Sequence, residues 1–141
     1  MNFYIATSLR NADRARSLAR RLTELGHKLT YDWTVHGSVN DTPEIWSQTA
    51  RREVDGVRRA HVVIVLLPGG QGTHVELGVA LGSHTPVIVV GDDRPLAELG
   101  ASHRCIFYDY PSVERIPTIG RLRDAIEADI ERLVSEVPFL A

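Results

Sequence analysis

At 141 residues the chain has the length of one domain, enough to bury a core and too little for a cofactor domain beside a separate substrate domain. Its 43% hydrophobic and 24% charged residues exclude a disordered or fibrous chain. Sixteen basic residues face eighteen acidic ones, with a net charge of -2 and no long run of either sign, which argues against a nucleic-acid polymer or an anionic membrane as the partner.

The first segment, Phe3-Tyr4-Ile5-Ala6, reads as a short buried strand that runs into the polar stretch Thr7-Ser8-Leu9-Arg10-Asn11. Ala15, Leu18, Ala19, Leu22 and Leu25 then recur at helical spacing, and Gly26 stands where a left-handed C-terminal cap is wanted. Leu29-Thr30-Tyr31 predicts a second brief strand, followed by a polar loop over residues 32–43 that holds Trp33 and His36. A helix is expected over residues 44–59, with Ile45, Trp46, Val54 and Val57 facing inward. The uninterrupted apolar run over residues 62–67 has the character of a parallel strand covered on both faces, and so of the sheet's centre.

Pro68-Gly69-Gly70-Gln71-Gly72 makes a turn, and Leu77, Ala80 and Leu81 mark a helix that ends near Gly82. Residues 86–91 supply a fourth strand and residues 105–108 a fifth, and Ile119, Leu122, Ile126, Ile130 and Leu133 line a closing amphipathic helix. Strands alternating with helices at these lengths predict an α/β fold. It is a single-domain, doubly wound, flavodoxin- or Rossmann-like five-stranded parallel sheet over residues 1–141, with helices on both faces and strand order 2-1-3-4-5.

The one cysteine, Cys105, has no CxxC or Cys/His spacing that would hold zinc, and the longest apolar run is too short to span a membrane. The start of the chain carries no basic stretch ahead of an apolar one, so a cytoplasmic protein without metal or cofactor is expected.

Ligands of such sheets bind beyond the carboxyl ends of the strands where strand order reverses, here between the first and third strands. The loops that meet there are residues 7–11 and 68–73. Gly69, Gly70 and Gly72 let the backbone approach a ligand, and the helix that follows aims unpaired N–H groups at it, which suits an anion. Arg10, with Ser8 and neighbouring amides, would complete a phosphate cradle, although Ser8 and Asn11 are also ordinary helix caps. Glu76 lies one turn into that helix and faces the same crevice. Thr73-x-x-Glu76 equally fits a capping box, in which the glutamate reaches back to its own helix start.

The strings FYIATSLRN (residues 3–11), Ala60-His61-Val62-Val63 and PGGQGTHVELG (residues 68–78) together resemble the nucleoside 2-deoxyribosyltransferase family, including its branch of 2'-deoxynucleoside 5'-monophosphate N-glycosidases. Residues 68–76 are also similar to the PGGxGTxxE motif of the phosphoribohydrolases that release cytokinin bases. The resemblance implies that Glu76 attacks C1' of a nucleoside or nucleoside monophosphate to form a covalent glycosyl intermediate, which water or another base then resolves. A second carboxyl group must protonate the leaving base, as in retaining glycosidases. Glu53 is the candidate, with Asp55 the substitute and a solvated helix face the alternative for both.

The resemblance also gives Tyr4 a role in orienting the glutamate or touching the sugar, against the alternative of a core aromatic. It gives Ser8, Leu9, Arg10 and Asn11 to the 5'-phosphate. It sets Asp32, Trp33 and His36 beside the base, where the indole would stack, unless it only anchors its loop. His74 would approach the ligand. Family members are dimers or larger, so a homodimer or higher assembly is implied, in which Ser102 and His103 reach a partner's phosphate. The chain departs from the monophosphate hydrolases at Glu53 and His61, where they have aspartate, and at Gly70, where they have serine. A non-catalytic nucleotide-binding module and an NAD glycohydrolase of the Toll/interleukin-receptor type are the other readings of the same residues.

Overall fold

The computed structural model describes residues 1–35, 42–91 and 105–140. Five strands, β1 (Asn2–Ala6), β2 (Lys28–Leu29), β3 (Val62–Leu66), β4 (Val87–Val90) and β5 (Val113–Ile116), form one sheet in the order β2-β1-β3-β4-β5. Every pairing is parallel. All five residues of β3 are buried, because helices cover the sheet on both sides and leave no polar face to the central strand.

Four α-helices are described: α1 (Ala12–Glu24), α2 (Pro43–Arg59), α3 (Gln71–Gly82) and α4 (Arg123–Leu140). α1 and α4 share one face of the sheet, tied by Arg14–Glu127 at 3.1 Å and Arg21–Glu131 at 2.6 Å. α2 and α3 cover the other. Tyr4 points to the α2/α3 side, so strand alternation turns its neighbours Phe3 and Ile5 toward α1 and α4. The first helix ends as expected, with Gly26 at φ +93 in the left-handed region.

Four expectations fail. Residues 105–108 are not the fifth strand. Ile106–Asp109 is a 3-10 turn with Ile106 and Phe107 exposed and Tyr108 buried, and β5 follows after Pro111-Ser112. As an edge strand β5 fully buries only Ile116, and its Val-Glu-Arg-Ile sequence lacks the continuous apolar run of an interior parallel strand. Ile45 and Trp46 do not face inward, being 43% and 65% exposed, because the first two turns of α2 extend past the packed surface and only Gly56 and Val57 are fully buried. Ile119 and Leu122 likewise precede α4 and are exposed, while Ile126, Ile130 and Leu133 carry its buried stripe. The second strand is also displaced, pairing through Lys28–Leu29 rather than residues 29–31.

Gly56 sets how closely α2 lies on the sheet. A Cβ there would come within 2.9 Å of the Tyr31 Cβ and 3.1 Å of the Tyr4 ring. In an open helix, alanine for glycine gains about 1 kcal/mol. Here Gly56→Ala is expected to lower stability by about 1–3 kcal/mol, because Tyr4 is fully buried and the Tyr31 Cβ is fixed to its backbone. Urea denaturation of the variant checks the sign.

Candidate active site

The two loops at the switch point between β1 and β3 are pinned to each other. The Thr7 hydroxyl donates to the Leu66 carbonyl at 2.7 Å, and the Asn11 side-chain amide donates to Thr7 Oγ1 at 3.1 Å and to the Pro68 carbonyl at 3.3 Å. Asn11 therefore does not cap α1 with its side chain but acts as a strut across the crevice. Both of its amide hydrogens are engaged within the protein. Ser8 is half-buried and makes no side-chain cap bond, while Leu9 and Arg10 are exposed and Arg10 forms no ion pair with a described residue. Thr7, which carries this junction, was not singled out in the sequence because a threonine after a strand has no distinctive pattern.

The glycine loop enters α3 three residues earlier than the Thr73 capping box requires. Gly70 is the N-cap, its N–H donates to Thr73 Oγ1 at 3.0 Å, and Thr73 is 3% exposed. A side chain at Gly69 would collide with Thr73, its Cβ falling 2.5 Å from Thr73 Cγ2. At Gly70 and Gly72 a Cβ would meet nothing within 4 Å, so these two positions border open space at the mouth of the crevice. Counted from Gln71, Glu76 is the sixth residue of α3. It lies beyond the first-turn N–H groups, so the helix start does little to favour its anion.

Glu76 does not fold back onto its helix. Its Oε1 accepts the Tyr4 hydroxyl at 2.9 Å, across 72 residues of sequence and from the central region of the sheet. Tyr4 is fully buried and Glu76 is 8% exposed. The Glu76 carboxyl is pushed up to about 8, chiefly by burial and further by the charge of Glu53, against the downward pull of the Tyr4 hydrogen bond. The Tyr4 phenol is raised as well, first by burial and then by Glu76 and Glu53, so it remains a donor. Glu53 is half-buried on α2 and acts electrostatically on both members of the pair. Asp55 is exposed on α2 and exerts no such effect on them. Glu76, Tyr4 and Glu53 are thus brought together and Asp55 is not.

Tyr31 joins this cluster from beside Gly56. Its phenol is raised by burial, while Arg52 next to it acts in the opposite direction. Read as the tail of a strand, Tyr31 gave no sequence signal of a site.

Trp33 donates its indole N–H to the Ile5 carbonyl at 2.7 Å and is 8% exposed, which fastens the loop after β2 to β1. One oxygen of Asp32 accepts from the Thr34 backbone N–H at 2.9 Å and from the Thr34 hydroxyl, closing an Asx turn. His74 bonds through both ring nitrogens, Nδ1 to the Gly70 carbonyl at 2.7 Å and Nε2 to the Tyr108 hydroxyl at 2.6 Å. His36, Ser102 and His103 lie outside the described residues. His61 accepts the Asn2 N–H at 2.9 Å at the amino end of β3, the opposite edge of the sheet, so its departure from aspartate does not touch the crevice. Among the described residues no group of three or more His, Cys, Asp or Glu is arranged to hold a metal ion, and no helix is long and apolar enough to cross a membrane.

The family model for nucleoside 2-deoxyribosyltransferases matches residues 3–125. The chain belongs to that family. Its membership gives the activity class as deoxyribosyltransferase-type chemistry on nucleosides. A search of curated protein sequences finds no match. Among solved structures, this deoxyribosyltransferase relative is similar to the CMP N-glycosidase BcmB of Clostridium botulinum, with 16% identity, TM-score 0.60, and coverage of 96% of this chain and 98% of that one. It is similar to a conserved protein of Enterococcus faecalis V583, with 16% identity, TM-score 0.67, and 96% and 98% coverage. It is also similar to a 2-deoxyribosyltransferase of Bacillus psychrosaccharolyticus, with 17% identity, TM-score 0.51, and 64% and 72% coverage. At these identities the likeness establishes a shared fold.

The raised Glu76 carboxyl links stability to pH. The folded protein holds a proton that the unfolded chain, near its ordinary 4.5, has released, so stability falls as pH rises from 4.5 to about 8. Glu76→Gln removes this penalty, gaining about 4 kcal/mol at pH 8 and nothing below pH 4. Thermal melts of both proteins across that range check the divergence.

Proposed function

We propose that residues 1–141 form one catalytic unit, within a homodimer or larger assembly, that cleaves the N-glycosidic bond of a nucleoside 5'-monophosphate or nucleoside. In the first step a Glu76 oxygen attacks C1' and the bond from C1' to the base breaks, with its electrons passing to the base nitrogen. The Glu53 carboxyl supplies the proton to that nitrogen. In the second step Glu53 takes a proton from water, or from an acceptor base, which attacks C1' and releases the Glu76 carboxylate. The observation that carries this reading is the Tyr4–Glu76 hydrogen bond, because it holds Oε1 beside the crevice and leaves Oε2 for the sugar.

The phosphate end of the reading rests on the exposed Arg10, half-buried Ser8 and the helix start after Gly70. Arg10 would meet the phosphate with paired N–H donors, and the α3 amides would face its remaining oxygens. No step in this sequence calls on a metal or a cofactor.

The test is incubation with a panel of nucleosides and their monophosphates, with chromatography of the freed base. Glu76→Ala abolishes base release, a fluorinated sugar leaves an adduct on Glu76, and Glu53→Gln lowers the rate by about 10²–10⁴. Full activity in Glu76→Ala overturns the proposal. Attack needs Glu76 ionised and Glu53 protonated, so kcat/KM is bell-shaped in pH, with the Glu76 limb near 8. Tyr4→Phe removes the bond that favours the anion and moves the limb upward, whereas Glu53→Gln removes the repelling charge and moves it downward. Gly70→Ser, placed where a side chain meets open space, is expected to lower KM for monophosphates and leave KM for nucleosides unchanged.

A further inference from the structure

The glycine loop over residues 68–72 is flexible by composition, yet an anion cradle must hold its N–H groups in one direction before the ligand arrives. On the β1 side it is braced by Asn11 at the Pro68 carbonyl, and internally by Thr73 at the Gly70 N–H. Its far side meets His74. The Gly70 carbonyl accepts the His74 backbone N–H at 3.3 Å and the His74 ring at Nδ1, 2.7 Å away. A carbonyl only accepts, so Nδ1 carries the proton. In the neutral ring Nε2 is then an acceptor, and the Tyr108 hydroxyl at 2.6 Å donates to it.

Tyr108 is itself held. It is 5% exposed, and the Arg115 guanidinium lies 5.5 Å from its ring centroid. Arg115 donates to the Gly91 carbonyl at 3.2 Å, just past β4, and pairs with Asp109 at 3.3 Å. A continuous chain of contacts thus joins the glycine loop to β4 and β5, strands that lie away from the switch point.

From this geometry we infer that His74 and Tyr108 are a positioning pair, which fixes the Gly70 end of the loop so that the α3 amides receive the phosphate of the substrate. The inference rests on the monophosphate reading given above and deepens it. Neither side chain touches the reacting atoms. His74 acts through the Gly70 carbonyl, and Tyr108 acts through His74.

Three variants test the pair. His74→Asn keeps a donor near the Gly70 carbonyl and loses the reach to Tyr108, Tyr108→Phe removes only the hydroxyl, and the third combines them. Each single change is expected to raise KM for a monophosphate about three- to tenfold, the size of one lost hydrogen bond, with kcat within about twofold and KM for the nucleoside unchanged. The double variant is no worse than the worse single one, since both cut the same link. Additive losses, equal losses on nucleoside and monophosphate, or no change in KM overturn the inference.

Two readouts do not depend on turnover. Nitrogen-15 NMR of the wild-type imidazole is expected to show the Nδ1–H tautomer. Titration with inorganic phosphate is expected to shift the amides of Gln71, Gly72 and Thr73, with Kd weakened about three- to tenfold in each variant. An Nε2–H tautomer overturns the pair even if base release is intact. Absent base release with the expected tautomer and phosphate shifts overturns the proposed reaction and supports the pair.

Discussion

The site depends on one hydrogen bond between a phenol buried in the sheet and a carboxyl on a helix. Two forces compete there. Removing Glu76 from water disfavours its charge, and Tyr4 restores part of what is lost, yet burial remains the larger effect and the acid rises to about 8. A group so placed ionises reluctantly, and its anion is correspondingly basic and poorly solvated, the state that favours attack on an electrophilic carbon. The local fold serves that bond. Gly56 lets α2 descend onto Tyr4 and Tyr31, and the same helix carries Glu53 into electrostatic range.

The crevice is assembled from both sides by main-chain anchors. Thr7 and Asn11 fasten the first loop to the third strand's exit, and the loop after β2 is held by the Trp33 indole on the Ile5 carbonyl. The guanidinium of Arg10, in contrast, is exposed and forms no ion pair with a described residue. In the proposed reading the side-chain anchors set the shape and such exposed donors would meet the ligand.

Much of the fold was legible in the sequence because its central strands are covered on both faces. Residues 62–66 read as apolar at every position for that reason, and the alternation of strands with helices announces a parallel sheet, whose expected order 2-1-3-4-5 the structure matches. The edge was not legible. β5 fully buries only Ile116 and carries Glu114 and Arg115 in its middle, whereas the apolar residues just before it make a turn. In the site, Glu76, Tyr4 and Glu53 were nominated from motifs, but spacing alone could not separate a carboxyl that caps its helix from one that reaches the sheet. That choice is made by a partner 72 residues away. Tyr31, Thr7 and Tyr108 stayed hidden because their roles come from neighbours brought near only by folding.

The ion pairs of the molecule differ in depth. On the α1/α4 side Arg21–Glu131 and Arg121–Asp129 are partly exposed above the buried stripe of Leu18, Leu22, Ile126 and Ile130, whereas Arg14–Glu127 is itself largely buried. Mobile ions screen the exposed pairs and scarcely reach the buried one. A brine therefore slackens the outer clasps of the molecule and leaves the apolar packing beneath them in place.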